Sequence, residues 1–309
     1  MNNNYYNEIK NELLNNEVYK RVKDYSKNRN ELSTYYNVGK LLIEAQGGED
    51  RAKYGDSLIK EYSLKLSQEI GKKYNITTLK RMRQFYLKIE KGAAMRHQLS
   101  WSHYRELLPI KDINEINYYI ETTISRNLAY RQLREKIKNK EYQRLDNNTK
   151  LKLISKEQMS IGDTIKNPIV IKNNLEIDRE NISEKILQRL ILEDIPSFLE
   201  ELGDGYSFIK NEYKIKINNT YNYIDLLLFN YIYNSFVVVE LKVTEARKEH
   251  IGQIQVYMNY IDKHIKGTTN NKTIGIIVAR RDNHYYIEYS SDKRIYTRNY
   301  EIVWGGLHE

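Results

Sequence analysis

The chain has 309 residues, 40% of them hydrophobic and 29% charged, with 50 Lys+Arg against 41 Asp+Glu. That is enough for two domains of ordinary size with packed cores, and no apolar run approaches the ~20 residues needed to span a membrane. The absence of cysteine excludes disulfides and thiolate metal sites and fits a cytoplasmic location; Met1-Asn2-Asn3-Asn4 lacks the pattern of a signal peptide, and the six histidines have no zinc-type spacing.

The charge is uneven. Residues 1–160 hold 31 Lys+Arg and 20 Asp+Glu, a net of +11, whereas residues 161–309 hold 19 and 21, a net of −2. The front half is therefore the expected polyanion-binding half. Its first 145 residues read as an all-α domain. Leu13, Leu14, Val18, Val22 and Tyr25 recur at helical spacing, as do Leu41, Leu42 and Ile43 after Tyr35-Tyr36-Asn37-Val38-Gly39. Residues 46–50 read as a loop. A helix over 56–70 carries Leu58, Ile59, Tyr62, Leu66 and Ile70 on one side and ends at Gly71.

Thr77 or Thr78 is then placed to cap a helix running to Glu90. Its apolar face is Leu79, Met82, Phe85, Tyr86 and Ile89, and its other face carries Lys80, Arg81, Arg83 and Lys88. This is the outline of a helix-turn-helix, with those four cations as candidate nucleic-acid contacts. Any tight helical pair with one solvated basic face gives the same pattern. Further helices are expected from Leu99, over 114–123 and over 128–145, the last very basic. Trp101 and His103 are read as core residues.

Residues 146–175, polar and containing Gly162 and Pro168, read as a connector. The second domain, residues 176–309, is expected to open with a helix over 183–201. Strands over 207–217, 224–229 and 235–243 follow, then a helix over 247–262 and strands over 273–279, 285–289 and 294–303. Helix, three strands, helix, strand is an α/β or α+β pattern with a mixed sheet.

The chemistry concentrates in two of these strands. Tyr223-Ile224-Asp225-Leu226-Leu227-Leu228-Phe229 and Phe236-Val237-Val238-Val239-Glu240-Leu241-Lys242-Val243 are apolar runs with three charges between them. A buried carboxylate is costly unless paired. A turn centred on Ile232-Tyr233 brings Asp225 opposite Glu240, with Cβ atoms roughly 4.5–5.5 Å apart, and Lys242 projects from the same face as Glu240. Two acids with one ammonium beside them suit a Mg²⁺ ion, which prefers oxygen ligands. A one-residue slip would part the acids, and Glu-x-Lys alone is an ordinary strand salt bridge.

Asp225…Glu240-x-Lys242 resembles the active-site signature of PD-(D/E)XK nucleases, with Ile224 where the name has proline. Leu199-Glu200-Glu201-Leu202-Gly203, the two strands above, Gly252-Gln253-Ile254-Gln255-Val256-Tyr257 and Ile274-Gly275-Ile276-Ile277…Glu288-Tyr289 resemble successive blocks of the YhcG-type nucleases. In the front half, Tyr36-Asn37-Val38-Gly39-Lys40, Tyr54-Gly55, Arg81-Met82-Arg83-Gln84-Phe85-Tyr86 and Leu99-Ser100-Trp101-Ser102-His103 do the same. The resemblance implies a restriction-endonuclease-like carboxy-terminal domain behind a helical, DNA-binding one. It implies a Mg²⁺-dependent endonuclease, with Mn²⁺ as a substitute ion, in which Asp225 and Glu240 hold the metal and Lys242 is catalytic. Gln253 is implied as an active-site residue, and Glu201 and Tyr257 as accessory ones; a surface acid and helix packing are their plain alternatives. The resemblance also carries the expectation of a homodimer. Two other functions stay open: a non-catalytic DNA-binding regulator on a nuclease-like scaffold, and a nuclease acting on RNA or on branched structures.

Overall fold

The structure, a computed structural model, describes residues 3–21, 27–49, 52–175, 177–178, 182–281 and 292–304. The chain divides into two compact units, Met1–Tyr142 and Gln143–Glu309. No described helix is long and apolar enough to cross a membrane.

The first unit is helical throughout: α1 (Asn3–Arg21), α2 (Lys27–Gln46), α3 (Ala52–Glu69), α4 (Ile76–Glu90), α5 (Trp101–Leu107), α6 (Ile113–Ser125) and α7 (Tyr130–Lys138). Leu79, Met82 and Phe85 form the buried face of α4. Asn75, rather than either threonine, caps it, its Oδ1 accepting the Thr78 N–H at 3.0 Å. Trp101 joins an aromatic cluster, with ring centroids 4.8 Å from Tyr35 and 5.5 Å from Phe85. His103 is structural, as expected: Nδ1 accepts from the Ser100 backbone at 3.1 Å and Nε2 lies 2.9 Å from the Leu128 carbonyl.

The second unit holds α8 (Asn147–Ser155), α9 (Ile161–Thr164), β1 (Ile169–Asn173), α10 (Glu184–Glu193), α11 (Ile195–Leu202), β2 (Tyr206–Ile217), β3 (Thr220–Asn230), β4 (Ser235–Glu245), α12 (Lys248–His264), β5 (Ile274–Arg281) and β6 (Ile295–Trp304). The sheet order is β1-β6-β5-β4-β3-β2. Strands β2, β3 and β4 form an antiparallel meander, and β4, β5, β6 and β1 run parallel. The parallel β4–β5 step needs a crossover, which α12 supplies. Helices α10 and α11 cover one face, packing on Leu226, Leu228, Val237, Val239 and Leu241. Helix α12 covers the other, packing on Ile224, Leu227, Val238 and Ile277. Central strands covered on both faces read as unbroken apolar runs, as these do.

Three expectations are corrected. Residues 146–175 are no connector: they fold as α8, α9 and β1, and Ile169, Ile171, Ile161 and Ile165 enter the core. The helix expected over 183–201 is two, because Asp194 recaps the chain by accepting the Ser197 N–H at 3.2 Å and Pro196 stands in the first turn of α11. The basic helix expected over 128–145 ends at Lys138. The strand expected over 285–289 lies outside the described residues.

Candidate active site

The β3–β4 hairpin sets the geometry. Its four-residue loop, Tyr231–Asn234, is shaped by Asn230, whose Oδ1 accepts the Ile232 and Tyr233 N–H groups at 3.0 and 3.1 Å. Asn234 takes φ 49°, a left-handed conformation that asparagine tolerates. The ladder runs from Asn230↔Ser235 to Leu226↔Val239, the register anticipated from the sequence. There the regular pairing ends, and the Asp225 side chain takes over: its Oδ2 accepts the Leu241 N–H at 2.8 Å. Immediately beyond Lys242, the β4–β5 register shifts. The site therefore sits where two ladders become irregular, a frequent device for aiming side chains.

Glu240 is 2% exposed. Its Oε1 lies 2.9 Å from Lys242 Nζ, and its buried Oε2 has no hydrogen-bond partner among the described residues. Burial, and then the Asp225 charge, push its carboxyl up to about 7 despite the lysine. Burial also raises Asp225, against the Leu241 N–H and the Lys242 charge. Burial works against the Lys242 ammonium, but the Glu240 hydrogen bond and the surrounding carboxylates prevail and hold it above its ordinary range. The centre thus has more buried acid than one ammonium can compensate.

Gln253 Nε2 donates to Tyr257 Oη at 2.9 Å, one turn apart on α12. Burial raises the Tyr257 phenol, Gln253 opposes the shift, and the charges of Glu240 and Asp225 add to it. Tyr257 thus stands within the field of both acids, and Gln253 is held beside it.

Glu201 is placed elsewhere, a correction to its expected position near the metal. Its Oε2 accepts the Val170 N–H of β1 at 2.9 Å, and Arg144 grips both carboxylate oxygens, Nη2 lying 3.0 Å from Oε1. Strand β1 is separated from β4 by β6 and β5. The acid that does reach the centre is Glu184 of α10, whose Oε2 is 3.3 Å from Lys242 Nζ. On the same helix, Gln188 Nε2 donates to the Asp225 carbonyl at 3.0 Å. Sequence reasoning missed both. Glu184 follows the Ser183 cap, where acids are ordinary; Gln188 is the polar interruption of a face formed by Leu187, Leu190 and Ile191, and that was a usable signal.

In the first unit, three of the four candidate cations of α4 already have partners. Lys80 Nζ lies 3.1 Å from Asp56 Oδ2, Arg83 Nη2 3.3 Å from Asp56 Oδ1, and Lys88 donates to the Ile110 and Lys111 carbonyls. Arg81 is half-buried.

Among the described residues, no three His, Asp or Glu side chains gather into a metal cage. Asp225 and Glu240 are nevertheless a fitting oxygen donor pair. Glu240 Oε2 is a buried acceptor with no donor, surplus negative charge surrounds it, and a Mg²⁺ ion keeps several of its own waters.

Residues 162–303 match the YhcG PDDEXK nuclease domain, and residues 13–144 match the DUF1016 N-terminal domain. The Escherichia coli (strain K12) protein named "Putative nuclease YhcG" is 26% identical over 286 residues, covering 80% of this chain and 76% of its own. Among solved structures, a repair endonuclease from Pyrococcus abyssi aligns with a TM-score of 0.30 at 20% identity, over 40% of this chain and 49% of its own. EndoMS in apo form aligns at 0.29 and 21%, over 40% and 48%, and the EndoMS-dsDNA2 complex at 0.28 and 18%, over 43% and 50%. The chain spans about half the length of these solved chains. The chain thus joins a YhcG-type PDDEXK nuclease domain over residues 162–303 to a helical DUF1016-type amino-terminal domain over residues 13–144.

Proposed function

We propose that the protein is a divalent-metal-dependent endonuclease that hydrolyses phosphodiester bonds of DNA, with Mg²⁺ as its ion. The observation that carries this reading is the convergence of Asp225, Glu240 and Lys242, with an unpartnered buried oxygen on Glu240. Asp225 and Glu240 would hold the ion. Such an ion lowers the pKa of a bound water and offsets charge on the scissile phosphate.

The chain's own groups have distinct tasks. Lys242, kept charged by Glu240 and Glu184, offers an ammonium to a phosphate oxygen or holds the attacking water. Gln253 is a further water or phosphate contact, oriented by Tyr257. Gln188 holds the Asp225 backbone, and with it the side chain it aims. The helical unit supplies salt-dependent affinity for the polyanion through its surplus of cations. Because Lys80, Arg83 and Lys88 have internal partners, a helix-turn-helix contact by α4 would require exchange of those pairs.

The test is cleavage of plasmid and linear DNA with Mg²⁺, with Mn²⁺ and with EDTA. Wild type should cut only with an ion present. Asp225→Ala, Glu240→Ala and Lys242→Ala should each lose at least about 100-fold in rate, the scale of removing one electrostatic element of a site. Cleavage at the wild-type rate by all three variants would refute the assignment.

A further inference from the structure

The β2–β3 hairpin extends outward from Asp225. Its tip is the two-residue loop Asn218-Asn219 between the paired Ile217 and Thr220, with Asn218 at φ 53°, a left-handed turn that suits strand twist. The cross-strand pairs Lys214↔Tyr223 and Lys216↔Tyr221 lie along it. Tyr223 and Tyr221 are two and four residues before Asp225 on β3 and share one face of the arm; the alternation of faces shifts at Asp225, since Ile224 and Leu227 both pack toward α12 while Leu226 packs on the opposite side.

The two faces of this arm differ. Ile215 and Ile224 are buried on the side packed toward α12, with Tyr213 and Ile217 beside them. On the other face Tyr221 and Tyr223 are 53% and 52% exposed, and both lysines are exposed. Lys214 Nζ lies 3.7 Å from the Tyr221 ring centroid and Lys216 Nζ 5.8 Å. Residues 213–224 contain no Asp or Glu. The edge of a sheet ordinarily carries lysines to discourage pairing, but that does not account for two large exposed aromatic rings in register with them. Glu212, opposite Asp225, has φ 46°. A non-glycine residue in this region is uncommon and bends the strand where arm meets site.

We propose that this face binds a single-stranded segment of the substrate next to the scissile bond, the lysines engaging phosphates and the tyrosines stacking on unpaired bases. The proposal rests on the nuclease reading above and narrows it to substrates with unpaired nucleotides. Both ingredients of sequence-tolerant single-strand binding are present: backbone charge and aromatic platforms. Paired bases in a blunt duplex present no free faces to Tyr221 and Tyr223.

The test is binding of the full chain, in EDTA so that nothing is cut, to fluorescent oligonucleotides of one sequence: a blunt duplex and the same duplex with a single-stranded tail. The wild type should bind the tailed form about tenfold more tightly. Tyr221→Ala/Tyr223→Ala should remove that difference and leave blunt-duplex affinity unchanged. Lys214→Ala/Lys216→Ala should lower the slope of log affinity against log salt by about 1.4 on the tailed form, two phosphate contacts' worth. All four positions are exposed, and circular dichroism checks that the variants fold. Equal affinity of wild type for the two forms, or wild-type behaviour of both double variants, would overturn the proposal. Cleavage is scored separately with Mg²⁺. Asp225→Ala protein that still cuts would instead overturn the metal-centre reading while tail-dependent binding stood.

Discussion

At the scale of single residues, the site is assembled against the interest of stability. Glu240 carries its carboxyl about 7 because burial and Asp225 oppose its charge. An acid whose folded-state pKa lies above its unfolded value stabilises the fold below the unfolded value and loses that contribution as pH rises through the folded one. The window here runs from the ordinary glutamate value of 4.5 to about 7. At about 1.4 kcal/mol per pKa unit, the loss has a ceiling on the order of 3 kcal/mol. Thermal melts in EDTA at pH 5 and pH 8 should therefore show wild type losing several degrees across the window, and Glu240→Gln losing distinctly less. The same variant should be inactive, the usual opposition between stability and an active site. Identical pH dependence for the two proteins would contradict the burial argument.

At the scale of elements, local chemistry was legible and distant pairing was not. The β3–β4 register could be anticipated because its determinants are adjacent in sequence: two apolar runs and a polar four-residue break. Strand β1 escaped because Ile169-Val170-Ile171 is short, follows Pro168, and pairs in parallel with β6 some 130 residues later. Glu201 was misplaced for the same reason. Its partner Arg144 is 57 residues earlier, and no feature of Leu199-Glu200-Glu201 indicates it. Glu184 passed unnoticed because it is an exposed acid in the first turn of α10, and nothing local marks it as reaching Lys242, 58 residues later. Gly39 shows how a resemblance block can carry packing rather than chemistry. A Cβ there would stand 2.3 Å from the Met82 carbonyl oxygen and 2.7 Å from Tyr86 Cβ, so α2 and α4 touch at this point. Two blocks noted in sequence, 36–40 and 81–86, are thus the two sides of one contact. Gly39→Ala improves helix propensity by ~1 kcal/mol, yet the crowding, which falls on backbone, should outweigh it. Denaturant melts should show a net destabilisation of about 1–3 kcal/mol; a stabilised variant would mean the two helices are free to separate.

At the scale of the whole molecule, charge and chemistry are divided between the two units. Met1–Tyr142 holds 27 Lys+Arg and 18 Asp+Glu, a net of +9, while Gln143–Glu309 holds 23 of each and is neutral. The neutral unit contains the whole candidate centre and has apolar cores on both faces of its sheet. A fragment of residues 143–309 should therefore fold with a cooperative melt. It should still cut in Mg²⁺ at low salt, because Asp225, Glu240, Lys242, Gln253 and Tyr257 all travel with it. Its affinity for DNA should be weaker than that of the full chain, and its salt dependence shallower, since each lost phosphate contact on duplex removes about 0.9 from the slope. Titrations at several salt concentrations compare the two slopes directly. A fragment as salt-sensitive as the full chain would move polyanion recognition into the nuclease unit, where Lys214 and Lys216 are the first cations to examine, and would leave the charge of the helical unit without that role.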